Sequence, residues 1–235
     1  MLISTRGIVL KSVKYGETSI IVSIYTLRFG MQSYIVNGVR TTQKKGNKAN
    51  IYQVSTILEL IVYHHPNKKL QRIREAKAIW NIQSAQYDVA QYTVAIFMIE
   101  VLSKAIPEPE QNEYLYQFIE ESITQIPTKK LANQAILFLI YFSQILGYEI
   151  RNNYSETQPY FFIQEGSFVE TPTAETCSLN DSILIHQMLE DNAEERTLSN
   201  QARKEVLSIL IQYLKYHIPH LTELKSITVL HELLR

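Results

Sequence analysis

Cysteine is nearly absent from this chain: Cys177 stands alone among 235 residues. One thiol excludes an intrachain disulfide framework and any all-cysteine metal site within a single chain, and it accords with a reducing compartment. Long apolar runs are missing too. The longest, such as Ala135–Tyr141, falls far short of the roughly 20 residues that span a bilayer. The opening Met1-Leu-Ile-Ser-Thr-Arg6 lacks the basic-then-apolar order of a secretory signal. A cytoplasmic chain without a membrane partner is therefore expected. There is also no G-x-x-x-x-G-K-[ST] phosphate loop, no G-x-S-x-G elbow and no H-E-x-x-H pair.

Acidic residues are scarce where basic ones gather. Residues 1–80 hold only Glu17, Glu59 and Glu75 against 13 Lys/Arg, a formal +10. Three scattered carboxylates are too few for a two-metal nuclease. His64 and His65 adjoin Pro66, while His186, His217, His220 and His231 are scattered through the later part. Cys177 and His186 have no evident third and fourth ligand. No catalytic residue, metal ligand or cofactor is expected. Residues 81–235 reverse the balance, with 10 Lys/Arg against 20 Asp/Glu, a formal −10. The neutral total conceals this split, which points to a polyanion partner for the first module and a different partner for the second.

The first 80 residues read as strands. Gly7–Val13, Ser19–Tyr25 and Gln32–Asn37 are rich in β-branched residues and separated by Gly16-Glu17 and Arg28-Phe-Gly30. Tyr52–Tyr63 and Leu70–Ala78 supply the rest. About five short strands fit a small closed barrel or a compact sandwich, between which period-2 patterning does not choose. The cations cluster. Arg40, Lys44, Lys45 and Lys48 occupy a turn-rich segment, and Lys68, Lys69, Arg72 and Arg74 follow at the next hairpin and strand. If that strand is regular, Arg72 and Arg74 share a face opposite Ile73. Tyr15, Tyr25, Phe29, Tyr34 and Tyr52 are interleaved with these charges. Cations that neutralise phosphates beside rings that stack bases are what single-strand grooves need, although at least half of these rings are expected to be core.

The remainder reads as helices over 84–104, 111–125, 130–146, 200–218 and 222–234, with Pro107, Pro127, Gly147 and Pro219 as stops. Apolar nearly all round, Lys130–Leu146 should be the central helix. Between 148 and 178 the helical pattern lapses, and Tyr160–Phe168 looks like a hairpin turning at Glu165-Gly166.

These pieces, taken in order, resemble the RecO family of bacterial recombination and DNA-repair mediators. The resemblance is carried by Gly7-Ile-Val-Leu10, Tyr15-Gly-Glu-Thr-Ser19, Tyr25-Thr-Leu-Arg-Phe-Gly30, Asn37-Gly-Val-Arg40, Leu137–Leu146 with Gly147-Tyr-Glu-Ile150, Tyr160–Gly166 and Leu214–Pro219. It implies an α+β, multidomain chain: an N-terminal OB-type β-barrel over 1–80, then an all-helical domain over 81–235 with a short β-hairpin insertion at about 151–178. It also implies a non-catalytic mediator that binds single- and double-stranded DNA and anneals complementary strands. Such a mediator helps load the recombinase onto DNA coated by single-strand-binding protein, in the bacterial cytoplasm at the nucleoid. Its partners would be a RecR-type ring protein and the acidic C-terminal tail of the single-strand-binding protein, with Lys129 and Lys130 as candidate tail contacts. The DNA-contacting stretch of the family coincides with Arg40, Lys44, Lys45 and Lys48. Many members hold zinc through four cysteines in the insertion, where this chain offers only Cys177, so no zinc is expected. The rival reading is a protein–protein adaptor whose basic module docks on an acidic protein.

Overall fold

The computed structural model of the chain describes residues 1–39, 48–83, 85–106 and 110–233. Contact density divides it into two compact units, Met1–Gln125 and Ile126–Arg235.

In the first unit, strands β1 (Leu2–Tyr15), β2 (Ser19–Thr26), β3 (Gly30–Val36), β4 (Ile57–Tyr63) and β5 (Leu70–Trp80) close into a barrel in the order β1-β2-β3-β5-β4. All pairings are antiparallel except β3 with β5, which run parallel through Ser33↔Leu70, Tyr34↔Gln71 and Ile35↔Arg72. That order with one parallel closure is the OB topology, so the barrel is realised and the sandwich is not. The 14-residue β1 serves two partners, pairing Leu2–Ile8 with β4 and Gly7–Tyr15 with β2. Gly7 sits at the crossover, where a Cβ would come within 2.5 Å of Ile24. The strand therefore bends through the one residue without a side chain to clash. Val9, Ile20, Val22, Ile24, Tyr34 and Leu58 fill the interior.

Two helices complete this unit: α1 (Val89–Ala105) and α2 (Glu113–Thr124). Helix α1 begins later than the apolar periodicity indicates, because Asp88 and Gln91 form a reciprocal capping box that fixes its first turn. Asn112 caps α2 by accepting from the Leu115 amide. Tyr116 on α2 lies stacked 6.4 Å from Tyr25 on β2, and Arg6 pairs with Glu120. Gly30, at φ +58, lies so near Glu110 that a Cβ there would fall 2.1 Å from its carbonyl oxygen. Over the whole unit the charges are 14 Lys/Arg against 10 Asp/Glu, far closer to balance than the first 80 residues alone.

The second unit is built on α3 (Gln134–Ile145), α4 (Leu179–Met188), α5 (Asn200–His217) and α6 (Ser226–Leu233), with the hairpin β6 (Tyr160–Phe162) and β7 (Ser167–Val169). Helix α3 is largely buried, as its apolar circumference requires, and Gly147 at φ +83 ends it. Helix α4 has no counterpart among the predicted helices, and α6 starts at Ser226 rather than Thr222.

The insertion is held by side chains. Asn153 imitates a strand partner, accepting from the Phe168 amide at 2.9 Å and donating to the Phe168 carbonyl at 2.9 Å. Ser182 Oγ accepts from the Phe161 amide at 2.8 Å. Phe161 and Phe168 are fully buried, and His186 stacks on Tyr154 at 4.4 Å. Cys177 is buried, its thiol pushed up to about 12 by that burial and by Asp181. A four-thiolate zinc set does not fit this insertion, whose centre is aromatic and whose one thiol disfavours the thiolate that zinc requires.

Candidate nucleic-acid interface

In OB barrels, oligonucleotides run over the β2–β3 face and between the β1–β2 and β4–β5 loops. Here the β4–β5 hairpin is short and strongly pinned. Pro66 and Asn67 form its turn, closed by the Lys68 amide donating to the His65 carbonyl at 3.0 Å. The buried Gln71 amide braces it from beneath, accepting from the His65 amide at 3.1 Å and donating to the carbonyls of His65 at 2.8 Å and Lys68 at 2.7 Å. The His64 amide donates to the Met1 carbonyl at 2.9 Å, tying the hairpin to the chain's first strand. Lys68 and Lys69 therefore project from a braced backbone, so ordering them on a ligand costs mainly side-chain entropy.

Two open grooves flank this hairpin. The larger, of about 740 Å³, is lined by Arg28, Phe29, Met31 and Ser33 on one side and by His64, Asn67, Lys68 and Lys69 on the other. The smaller, of about 580 Å³, is lined by Ile35, Tyr63, His65, Leu70 and Arg72. Lys68 lines both, so the hairpin is the ridge between them. Among the described residues no carboxylate lines either groove. Arg28, Lys68, Lys69 and Arg72 make no ion pair among the described residues. Unneutralised cations around a concave surface give a local positive potential that attracts phosphates at some distance.

The predicted residues fall into three groups. Lys68, Lys69 and Arg72 come together at the grooves. Arg74 is exposed, but it sits in a bulge of β5, where Ile61 pairs with Glu75 and the next partners are Val62 and Ile73. The strand is thus not regular between Arg72 and Arg74, and the Arg74 guanidinium lies 3.4 Å from Glu75. Arg40, Lys44 and Lys45 lie outside the described residues. Lys48 opens a short 3-10 turn, Lys48–Tyr52, and only its backbone is described.

Of the five interleaved aromatics, Tyr34 and Tyr52 are barrel core, and Tyr25 is buried against Tyr116 of α2. Tyr15 is exposed at the end of β1, and Phe29 is half-buried at the larger groove. The sequence reading missed Arg28, Tyr63 and His64. Tyr63 is 44% exposed beside the cations. His64 stacks on Phe29 with ring centroids 3.9 Å apart and planes 8° apart. Burial, the N-terminal ammonium and His65 together lower the His64 pKa, so its imidazole is neutral at neutral pH. The adjacency of His64, His65 and Pro66 marked a hairpin, but nothing local marked a partner 35 positions upstream.

In the second unit, Lys129 and Lys130 are exposed. Lys130 is bound to Glu195 at 3.0 Å, and that hydrogen bond and charge lower the Glu195 pKa. A narrow cleft there has Ala135, Ile136, Leu207 and Leu230 as its walls and Arg203, Lys204 and His231 beside them.

Taken together, the barrel order, the cation-lined grooves and the ring stack define an OB-type barrel with a basic face, followed by a helical unit. The comparisons give the family. The model "Recombination protein O N terminal" matches residues 1–81, and "Recombination protein O C terminal" matches 86–226. DNA repair protein RecO of Flavobacterium psychrophilum is 32% identical over 238 residues, covering 99% of each chain. The proteins of the same name from Christiangramia forsetii and Bacteroides fragilis are 31% and 32% identical, again over 99% of each chain. The chain belongs to the RecO family of DNA repair proteins.

Proposed function

We propose that this chain is a non-enzymatic recombination mediator whose barrel binds single- and double-stranded DNA. Bound strands are annealed to their complements, and the recombinase is helped onto DNA coated by single-strand-binding protein. The observation that carries the reading is the gathering of Arg28, Lys68, Lys69 and Arg72 around the two grooves that Lys68 divides, with no carboxylate among the described lining residues. Phosphates replacing water there meet cations beside neutral side chains, and counterion release supplies binding free energy. Arg40, Lys44, Lys45 and Lys48 supply further phosphate contacts in this reading, and the DNA contacts fall within 1–80.

The second unit takes the protein partners: a RecR-type ring protein and the acidic tail of the single-strand-binding protein. Support for a tail contact comes from Lys129, which has no carboxylate partner among the described residues, and from the narrow cleft with its apolar walls and basic neighbours. Lys130 contributes less, because Glu195 already occupies it. The protein acts in the cytoplasm, at the nucleoid. Among the described residues no helix is long and apolar enough to cross a membrane.

Titration with single- and double-stranded DNA at about 0.15 M salt tests the reading. Binding tighter than micromolar is expected, with a steep salt dependence. Two triple alanine variants, one at Lys44, Lys45 and Lys48 and one at Lys68, Lys69 and Arg72, should each weaken binding about equally for unrelated sequences. Each should also flatten the log–log salt slope by about 2, since a lost phosphate contact removes roughly 0.7–0.9. Absence of binding at that salt would favour the adaptor that docks on an acidic protein instead.

A further inference from the structure

The stacked Phe29–His64 pair is more than a packing contact in its placement. Phe29 packs inward against the barrel core cluster, so His64 is the outer ring of the stack, and both line the larger groove. Each ring is set by its backbone. The Phe29 amide donates to Thr26 Oγ1 at 3.1 Å, its carbonyl accepts from Gln32 at 3.0 Å, and the His64 amide is held by Met1. Nδ1 of His64 is buried without a hydrogen-bond partner among the described residues, so stacking rather than hydrogen bonding positions the imidazole. Arg28, Lys68 and Lys69 stand around this platform, with no carboxylate among the described lining residues. The groove volume, about 740 Å³, lies within the range of sites that enclose small organic groups.

We propose that the His64 ring, backed by Phe29, is a base-stacking subsite that takes one unpaired nucleobase while Arg28, Lys68 and Lys69 hold the flanking phosphates. The proposal rests on DNA being the ligand of the barrel, and it adds to that reading a preference for unpaired strands. A neutral, flat imidazole offers a π-face to any base, and the platform is already paired and oriented before the strand arrives. Bases inside a duplex are stacked on one another and cannot reach it without being unpaired. Phosphate contacts alone would not make that distinction.

The test uses the full chain and two oligonucleotides of equal length and charge, one bearing thymines and one an abasic phosphodiester backbone. The wild-type chain should bind the base-bearing strand about 5- to 150-fold tighter, the range that alanine substitution of a single stacking contact gives. In His64→Ala that advantage should collapse, and His64→Tyr, which restores a ring, should recover it. Circular dichroism establishes that both variants are folded, and the wild-type comparison of the two strands needs no variant. Equal wild-type affinity for both strands would overturn the proposal, as would a His64→Ala chain that keeps the full advantage. Binding of neither strand would sink the DNA reading itself. Competition by polyglutamate as effective as the base-bearing strand would reassign the groove to an acidic peptide.

Discussion

Two grooves of similar size, one in each compact unit, have opposite linings. Among its described lining residues, the barrel groove of about 740 Å³ has Arg28, Lys68 and Lys69 and no carboxylate. The groove of about 650 Å³ beside α3 and α4 has Glu149, Glu190, Asp191 and Glu194 against Arg151 alone. Their floors differ as well. The first is a stacked ring pair, and the second is aliphatic, with Leu137, Ile140 and Met188. Shape alone would make both candidate binding sites. The sign of the lining charge separates them, because a phosphate chain gains counterion entropy in one and meets repulsion in the other. The charge split along the sequence survives at the level of grooves, even though the compact unit that holds the barrel also contains the acidic α1–α2 segment.

The sharpest way to break this comparison is to divide the chain. A fragment ending at Gln125 should fold and bind DNA, whereas one ending at Asn81 should not fold stably. It would strip α2 from Tyr25, which is fully buried, and expose the surface that Tyr116 covers. A barrel of about 80 residues has little core to spare. Circular dichroism and thermal melts of both fragments decide it, and a cooperatively folded 1–81 fragment would show that the helices are dispensable.

A smaller effect concerns alkaline pH. Burial pushes Tyr25 and Tyr52 up to about 12, and Tyr34 and Tyr116 are raised as well. Unfolded tyrosine releases its proton near pH 10, so between about pH 10 and 12 the native chain holds more protons than the unfolded one. Stability contributed by these phenols is therefore complete below pH 10 and falls as pH rises through that window, by up to about 2 kcal/mol for each of Tyr25 and Tyr52. In the second unit the raised groups are Tyr213 and Cys177. Urea melts from pH 8 to 11.5 should show the Met1–Gln125 unit losing stability more steeply than Ile126–Arg235. Equal slopes would mean that the barrel phenols ionise in place.

The least effect is expected from the acidic groove. Replacing Glu149, Asp191 and Glu194 together with glutamine should change affinity for single-stranded DNA by less than about threefold at 0.15 M salt, because an acidic lining offers a phosphate chain no attractive contact to lose. A tenfold gain would place the strand's path near that groove and dissolve the contrast between the two.

Much of this architecture was legible in the chain. Ser19–Thr26 and Gly147 declare themselves through β-branched runs and a left-handed stop, which are signals written within a few residues. The same locality explains the errors. Helix α4 follows an irregular insertion and has no clear apolar stripe, so nothing local marks Leu179–Met188 as helical. The bulge that sets Arg74 beside Glu75 comes from pairing with β4, not from β5 itself. Of the site, the cations were visible as clusters. The rings were visible too, but their sorting was not: Tyr34 and Tyr52 read like stacking platforms and are core.

By itself, the sequence determined the distribution of charge, the succession of strands and helices, and the want of a second thiol, because composition, period and breakers act over short spans. The tertiary structure alone decided that β3 closes against β5 in parallel, that Gln71 braces the hairpin, and that His64 comes to rest on Phe29. These are pairings between distant residues, and only barrel closure brings them within reach of one another.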